Sequence, residues 1–250
     1  MIENDIFYVR PRDVGNDSLT LSKDEAHHLL HVHRKKRNDL FAAVDGKGTT
    51  FDCQINSVEK DKIHARILKR RRFVGEPVFK LTLALAIPKK ARFEWVIEKG
   101  TEIGVSSFIP LITNRTITTE KSVKLIRWKK IALVAMKQCK RSILPTIETP
   151  VRFESFVETP SNYDLKLLAH ENELDRDLNK SIENFGKNSK LQKFRSGILC
   201  IGPEGGFTSE EVKLAQQNGF SSFVIGPRRL RSETAALVST SLILNKMGEL

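Results

Sequence analysis

From the N-terminus to residue 75 the chain consists mainly of short runs in which apolar and polar residues alternate. Segments 40–44 and 49–55 flank an Asp45-Gly46 step, a pattern that predicts a β-hairpin. Segment 62–68 alternates in the same way and predicts another strand. Between residues 22 and 33 the apolar period is helical, and Ser22 with Glu25 predicts a capping box at its start. Short strands around one small helix predict a compact β-barrel domain over residues 1–74.

The pattern changes after the basic run 69–72 and Gly75. Segment 81–87 is continuously apolar, as in a parallel strand that is buried on both faces. Further strands are predicted at 107–111, 165–169, 197–201 and 222–225, with helices at 93–100, at 122–141, between the last two strands and from Ser232 onward. This alternation predicts an α/β domain with a mostly parallel sheet over residues 75–250. The polar segment 176–196 predicts a mobile surface connection.

Composition and charge narrow the class of protein. The 42 Lys and Arg against 30 Asp and Glu give a formal net charge of +12, which favours contacts with polyanions, although solubility alone also explains it. Cys53, Cys139 and Cys200 lie far apart without a CxxC motif, which argues against a disulfide framework and for a reducing compartment. Neither a signal-peptide core nor an apolar run of the roughly 18 residues that a membrane helix needs is present. We therefore expect a soluble cytoplasmic protein with no membrane partner.

Two predicted strands end in similar glycine-rich loops. Segment 197–201 runs into Gly202-Pro-Glu-Gly-Gly206, and segment 223–225 runs into Gly226-Pro-Arg-Arg229. If the two strands are parallel, both loops lie at the carboxyl edge of the sheet, where open α/β sheets bind ligands. A single Gly-Pro step indicates an ordinary tight turn, but two at one edge favour a binding site. A GxxxxGK[ST] phosphate loop and an early GxGxxG motif are both missing.

These two loops make a family resemblance specific. The sequences of 201–207, Ile-Gly-Pro-Glu-Gly-Gly-Phe, and of 225–236, Ile-Gly-Pro-Arg-Arg-Leu-Arg-Ser-Glu-Thr-Ala-Ala, resemble the signature loops of the RsmE family. Segments 95–105 and 137–141 and the stretch from His27 to Gly46 extend the resemblance over nearly the whole chain. The chain departs from the family's usual residues at 89–92, at 137–141 and at His33, all in parts that would face RNA.

The resemblance implies a SPOUT-type methyltransferase domain with a trefoil knot, preceded by a small PUA-like domain that binds RNA. It implies a homodimer that uses S-adenosyl-L-methionine to methylate N3 of a uridine in 16S ribosomal RNA, within the assembled small subunit as we expect. No metal is expected. The implied cofactor-binding residues are Leu168, Ile201, Gly202, Glu204, Gly205, Gly206, Ile225, Gly226, Leu230, Arg231, Thr234 and Ala235. The expected RNA-binding residues are Arg10, Arg34, Lys99, Arg115, Gln138 and Arg141.

The chemistry of this reaction suggests two catalytic residues. N3 of uridine must lose a proton, and Arg231 would stabilise the anion that develops on the base. Glu233 would accept the proton, and Glu204 is an alternative acceptor. The structural interpretations are a surface ion pair for Arg231 and, for Glu233, an acid that interacts with the helix dipole.

A basic segment and a histidine cluster also bear on function. Ten of the 42 basic residues fall between Arg115 and Arg152 against only Glu120 and Glu148, which favours an RNA backbone contact over a merely solvated helix face. The residues expected to be buried in the helix there are Ile126, Ile131, Val134 and Ala135. The cluster His27, His28, His31 and His33 lacks acidic or cysteine partners at useful spacing, so a packed helix is favoured over a metal site.

Two alternatives stay open at this point. A SPOUT enzyme with another target, a ribose 2′-hydroxyl or a base in transfer RNA, fits the same fold. A non-catalytic RNA-binding or assembly protein that keeps an adenosyl pocket also fits the basic charge, but it would be free to lose Arg231 and Glu233.

Overall fold

The computed structural model describes residues 5–89, 91–117, 123–159, 163–171, 173, 177–186 and 194–250, with the backbone alone at 184–186. The chain divides into two compact units. The first comprises the residues up to Glu76 together with Leu133–Leu144, and the second comprises Pro77–Ala132 with Pro145–Leu250. The assignment of 1–74 and 75–250 as functional domains stays a prediction.

The first unit is a five-stranded sheet with a short helical segment. Its elements are β1 (Ile6–Tyr8), a 3₁₀ turn (Pro11–Asp13), β2 (Ser18–Ser22), α1 (Asp24–His27), a π-helical turn (His28–Val32), β3 (Leu40–Val44), β4 (Thr49–Glu59) and β5 (Lys62–Arg72). The strand order is β1-β3-β4-β5-β2. No ladder joins β1 to β2 in the described part of the chain, so the sheet is open between its edge strands. Apolar residues that alternate along the strands pack with Ala26 and Leu29 into one core.

The predicted hairpin is confirmed, whereas the predicted helix cap is wrong. Asp45-Gly46 separates β3 from β4 as expected, and Gly46 has a φ of +68°. Ser22 is instead the last residue of β2, and the cap position of α1 is Lys23, which makes no side-chain cap hydrogen bond. Glu25 does not close a capping box, because its carboxylate accepts a hydrogen bond from the Tyr8 N–H and forms an ion pair with Lys137.

A buried ion pair ties segment 133–144 to the rest of the first unit. Glu76 and Arg141 have side chains that are 2% and 3% exposed, and Arg141 Nη2 lies 2.9 Å from Glu76 Oε2. The other carboxylate oxygen of Glu76 accepts the backbone N–H groups of Ser142 and Ile143, at 2.8 and 2.7 Å. Such a pair is tolerated in the interior only when its hydrogen-bonding groups are satisfied, as both oxygens of Glu76 are here.

The second unit is a parallel α/β sheet. Its elements are β6 (Lys80–Ala86), α2 (Arg92–Ile103), β7 (Ser107–Ile112), α3 (Leu125–Gln138, which ends in the first unit), β8 (Thr146–Ile147), β9 (Val151–Arg152), α4 (Phe153–Glu158), β10 (Leu165–Ala169), α5 (Leu178–Gly186), β11 (Ser196–Ile201), α6 (Ser209–Gln217), β12 (Ser221–Phe223) and α7 (Ser232–Lys246). The strand order is β12-β10-β11-β6-β7-β8, β9 also pairs with β7, and all of these pairings are parallel. The predicted α/β class is confirmed. Strand order does not decide whether the chain is knotted, and the knot stays a prediction.

Three predictions for the second unit have different outcomes. The capping box at the start of α6 is confirmed by reciprocal hydrogen bonds between Thr208 and Glu211. Part of the segment predicted as a mobile connection is helical, because α5 buries Leu178 and Ile182; residues 187–193 lie outside the described residues. In α3 the predicted buried stripe is wrong at two positions.

The buried face of α3 is determined by its largest apolar side chain, that of Trp128. Trp128 is buried and its ring centroid lies 4.4 Å from that of Phe93. Ala132, Ala135 and Met136 recur at helical spacing from Trp128 and are buried with it. Ile126 and Val134, which were expected inside, are 79% and 62% exposed, and Ile131 is partly buried.

The three cysteines differ in burial. Burial raises the pKa of Cys53 to about 12 and raises that of the fully buried Cys200 further. Cys139 is only partly buried. Because the thiolate is the reactive form, we expect iodoacetamide at pH 8 to alkylate Cys139 in the native protein and to leave the other two intact. Peptide mass spectrometry checks this, with the denatured protein, in which all three react, as the control. Labelling of Cys200 at the rate of Cys139 would contradict it.

Candidate functional site

Three parallel strands end around one cleft. β10 pairs with both β11 and β12, so the carboxyl ends of the three strands lie at the same edge of the sheet. A cavity of about 250 Å³ opens there. Its lining comes from residues 169–171 at the end of β10, from the end of β11 and its following loop, from the end of β12 and its following loop, and from the start of α7. The position at a carboxyl edge is the one that the two Gly-Pro loops predicted.

Eight of the predicted cofactor-binding residues line this cavity: Ile201, Gly202, Glu204, Gly206, Ile225, Gly226, Leu230 and Ala235. The structure places the other four elsewhere. Leu168 is buried in the hydrophobic core because side chains alternate along β10, and it is the next residue, Ala169, that reaches the cavity. Gly205 lies on the outer side of its loop against Arg115, while Arg231 and Thr234 are exposed beside the cleft.

Glycine is required at particular points of the two loops. Gly206 has a φ of +70° and closes a turn with its N–H on the Pro203 carbonyl at 2.9 Å. A Cβ on Gly202 would lie 3.1 Å from the Phe207 ring, which packs against Phe153. At Gly226 a Cβ would meet nothing within 4 Å, so a side chain there would enter the cavity. The missing side chains therefore keep the loop tight and the cavity open.

Charged side chains connect the loops at the mouth of the cleft. Arg229 Nε lies 3.1 Å from Glu171 Oε2, and its Nη2 donates to the Glu204 carbonyl at 3.1 Å. The Glu204 carboxylate accepts from the Lys89 N–H at 3.3 Å and lies 3.4 Å from Arg92 Nη1. These contacts link the segments that follow β6, β10, β11 and β12.

The two predicted catalytic residues lie at the start of α7 next to this network. Arg231 is the cap residue of α7, and its exposed side chain makes no cap hydrogen bond. Glu233 is 12% exposed, and its Oε1 lies 3.5 Å from Arg92 Nε. Its Oε2 is buried and has no hydrogen-bond partner among the described residues. A buried carboxylate oxygen without a donor is unfavourable, so this oxygen keeps unused capacity to accept a hydrogen bond or a proton.

Arg115, which the sequence predicts as an RNA contact, is attached to the loop after β11. Its Nη1 donates to the Gly205 carbonyl at 2.6 Å, and its Cδ would lie 3.3 Å from a Cβ at Gly205. The neighbouring Asn114 N–H donates to Oε1 of the buried Glu211 at 2.8 Å. Because Glu211 also closes the capping box of α6, it fixes the segment that carries Arg115.

Among the other predicted RNA-binding residues, Arg10, Arg34 and Gln138 are exposed. Lys99 is partly exposed. Its pKa is raised above the ordinary value, chiefly by its hydrogen bond with Glu98 and next by the one with Glu102. The structure places Arg141 differently: its guanidinium is buried with Glu76.

Residue-level reasoning missed three members of the site: His170, Glu171 and Arg92. His170 and Glu171 directly follow a strand that the sequence did predict, so the rule about carboxyl ends could have found them. Arg92 begins the helix that follows β6 at the same edge of the sheet, but its contacts with Glu204 and Glu233 join residues far apart in the chain and gave no local signal.

No described helix meets the length and hydropathy needed to cross a membrane. A group of three or more metal-ligating side chains is likewise not found in the described ranges.

Family comparisons agree with this architecture. Residues 75–244 match the family model described as an RNA methyltransferase domain, the class of protein that this fold and cleft define. Residues 21–68 match the model described as an RNA methyltransferase PUA domain. The chain is 32% identical over 235 residues to ribosomal RNA small subunit methyltransferase E of Synechocystis, covering 94% of this chain and 75% of that protein. It is 31% identical over 232 residues to the protein of that name from Bacillus subtilis, covering 90% and 89%. The chain belongs to the ribosomal RNA small subunit methyltransferase E family.

Two solved structures are similar over almost their whole length. The Neisseria gonorrhoeae ribosomal RNA small subunit methyltransferase E bound to S-adenosyl methionine superposes with a TM-score of 0.82 at 25% identity, covering 97% of each chain. A putative methyltransferase from Legionella pneumophila in complex with the same cofactor superposes with a TM-score of 0.82 at 30% identity, covering 98% of each chain.

Proposed function

We propose that this protein transfers a methyl group from S-adenosyl-L-methionine to N3 of one uridine in 16S ribosomal RNA. The observation that carries the proposal is the cleft at the carboxyl edge, where the ends of three parallel strands meet the start of α7. Membership of a family whose relatives are named for small-subunit ribosomal RNA, and solved relatives that contain the cofactor, support both the substrate and the methyl donor. Such a substrate would place the protein in the cytoplasm.

The cleft fits this cofactor. Ile201, Ile225 and Leu230 supply apolar lining for an adenosyl group, and the glycine loops expose backbone groups that are able to hydrogen-bond it. The open space at Gly226 is space that a side chain would fill. When bound, the cofactor supplies a methyl group activated by its sulfonium.

Arg231 and Glu233 would act on the base. The exposed Arg231 guanidinium would stabilise the negative charge that develops on the uracil ring as N3 attacks. Glu233 is favoured over Glu204 as the proton acceptor, because the Glu204 carboxylate already accepts from Lys89 and Arg92 while Glu233 Oε2 has no described donor. Arg92, which lies beside Glu233 Oε1, would hold that carboxylate in place.

Residues 1–74 would form the RNA-binding domain and 75–250 the catalytic domain. The match to the PUA model over residues 21–68 supports the first assignment. Arg10, Arg34, Lys99 and Gln138 are exposed or partly exposed and are kept as proposed RNA contacts. The assembled small subunit is the proposed form of the substrate.

A homodimer would cover the outer face of α7. Val238 and Leu242, one helical turn apart, are 38% and 48% exposed, and Trp95 on the adjoining α2 is 46% exposed. We expect Val238→Glu to convert the dimer to a monomer, because a carboxylate on an apolar face opposes its burial. Analytical ultracentrifugation checks this, with Val58→Glu, at a 42% exposed position on β4, as the matched control. A wild-type monomer at micromolar concentration would exclude the dimer.

We expect Arg115→Ala to weaken binding of S-adenosyl-L-methionine about tenfold, because a charged hydrogen bond that holds the cofactor loop is lost. Arg115→Lys should recover part of the affinity. Calorimetric titration measures the Kd for the cofactor. The control is Arg195→Ala, at the amino edge of the sheet before β11. If affinity for RNA falls instead while cofactor affinity is kept, Arg115 is the RNA contact that the sequence predicts.

The deciding experiment combines the protein with methyl-labelled S-adenosyl-L-methionine and either unmethylated small subunits or protein-free 16S RNA. Mass-spectrometric mapping should find the label on N3 of a single uridine, with faster transfer to the assembled subunit. Label on a ribose hydroxyl or on transfer RNA would show that the substrate is not N3 of a uridine in 16S RNA. Cofactor binding without transfer to any of these RNAs would favour a non-catalytic RNA-binding protein.

A further inference from the structure

Phe73, directly after β5 in the first unit, is both exposed and conformationally strained. The residue is 57% exposed. Its φ is +54°, in the left-handed region that costs a bulky residue free energy. Residues held in such conformations are concentrated at binding sites, because the surrounding structure must stabilise them. Phe73 combines both features, which makes it a candidate contact residue.

The surrounding backbone holds Phe73 in this conformation. Its N–H donates to the Gly48 carbonyl at 2.8 Å, and the Ser142 N–H donates to the adjoining Val74 carbonyl at 3.1 Å. A Cβ on Gly48 would lie only 2.9 Å from the phenyl ring. The absence of a side chain at Gly48 therefore allows the ring to lie against the β3–β4 turn. Phe73 is thus part of a defined surface.

That surface is positively charged. The Arg72 guanidinium lies over the Phe73 ring, 5.1 Å from its centroid, and its Nη1 donates to Thr49 Oγ1 at 2.6 Å. Lys47 is exposed in the adjoining turn. No described carboxylate lies within ion-pair distance of Arg72 or Lys47. Asp45, in the same turn, accepts the backbone N–H groups of Lys47 and Thr49, while Asp52 pairs with Arg71 and Glu76 with Arg141.

We propose that Phe73 and Arg72 form a stacking site for an unpaired RNA base, with Lys47 beside the phosphate that flanks it. Aromatic rings and guanidinium planes stack on unstacked bases, whereas the bases inside an A-form helix are inaccessible to them. A second copy of this chain would bring the same positive charge to the surface, which favours a polyanion as the occupant. The inference rests on the proposed function only in that the protein binds ribosomal RNA.

Phe73→Leu tests the stack, because leucine keeps an apolar side chain and removes the aromatic face. We expect its Kd for unmethylated small subunits to rise about tenfold. Phe73→Trp should restore wild-type affinity. Leu68→Ala, which removes a 48% exposed apolar side chain from the preceding strand β5, is the matched control and should leave the Kd unchanged. Thermal midpoints of all variants show whether they fold.

The salt dependence of binding separates stacking from charge. Phe73→Leu should weaken binding at every salt concentration without changing the slope of log K against log[salt]. Lys47→Gln should reduce the magnitude of that slope by about 0.7, the value for one phosphate contact on a single strand. An equal Kd for Phe73→Leu and wild type overturns the proposal, and so does an altered oligomeric state with unchanged RNA affinity, which would make Phe73 a protein contact. Failure of the wild-type protein to bind small subunits would instead contradict the proposed function.

Discussion

Arg231→Ala is expected to lower kcat by about 10²–10³-fold while the Kd for S-adenosyl-L-methionine stays close to wild type. The guanidinium is exposed at the cap of α7 and does not line the cavity, so its removal leaves the cofactor contacts in place. Its proposed role begins only when negative charge develops on the base, which is why the loss should fall on kcat. Single-turnover methylation of small subunits at saturating cofactor, with calorimetry for the Kd, measures the two quantities separately.

Two further variants make this result specific. Arg231→Lys keeps the charge but lacks the planar fork of donors, so it should recover only part of the rate. Arg195→Ala removes an exposed arginine before β11, at the opposite edge of the sheet, and should keep full activity. A wild-type rate for Arg231→Ala would show that Arg231 is a surface residue without catalytic function.

Glu76→Ala is expected to destabilise the first unit by about 3–5 kcal/mol. The substitution leaves the Arg141 guanidinium charged and 3% exposed, with its carboxylate partner removed. The N–H groups of Ser142 and Ile143 lose their acceptor at the same time. Urea unfolding followed by hydrogen exchange of amides in β3, β4 and β5 reports on this unit by itself.

The comparison for Glu76 is Glu148→Ala, which truncates an exposed glutamate and should change stability by no more than about 0.5 kcal/mol. If Glu76→Ala were equally mild, the buried pair would not be what fixes segment 133–144. A double variant that replaces both Glu76 and Arg141 with apolar residues should recover part of the loss, because no uncompensated charge is then buried.

Much of the cleft could be predicted because its signals are local. Gly202, Gly206 and Gly226 follow strands that their own apolar runs reveal, and parallel strands place the following loops at one edge. The cap of α6 is equally local, since Thr208 and Glu211 are three residues apart. The orientation of single strand residues is less easily read from the sequence. Side chains alternate along β10, so Leu168 packs into the core and the next residue, Ala169, lines the cavity.

The sequence by itself determined the α/β class, the glycine loops and the family, because each depends on the order of neighbouring residues. Only the tertiary structure decided which charges pair. Glu76 and Arg141 are 65 residues apart, and Arg115 contacts a carbonyl 90 residues away. Local sequence patterns do not distinguish these arginines, because they do not show which groups each arginine contacts in the folded chain. Folding buries Arg141, attaches Arg115 to the loop after β11 and leaves Arg231 exposed at the cleft. The physical reason is that a charge is stabilised by the groups around it in space, and chain folding alone brings those groups together.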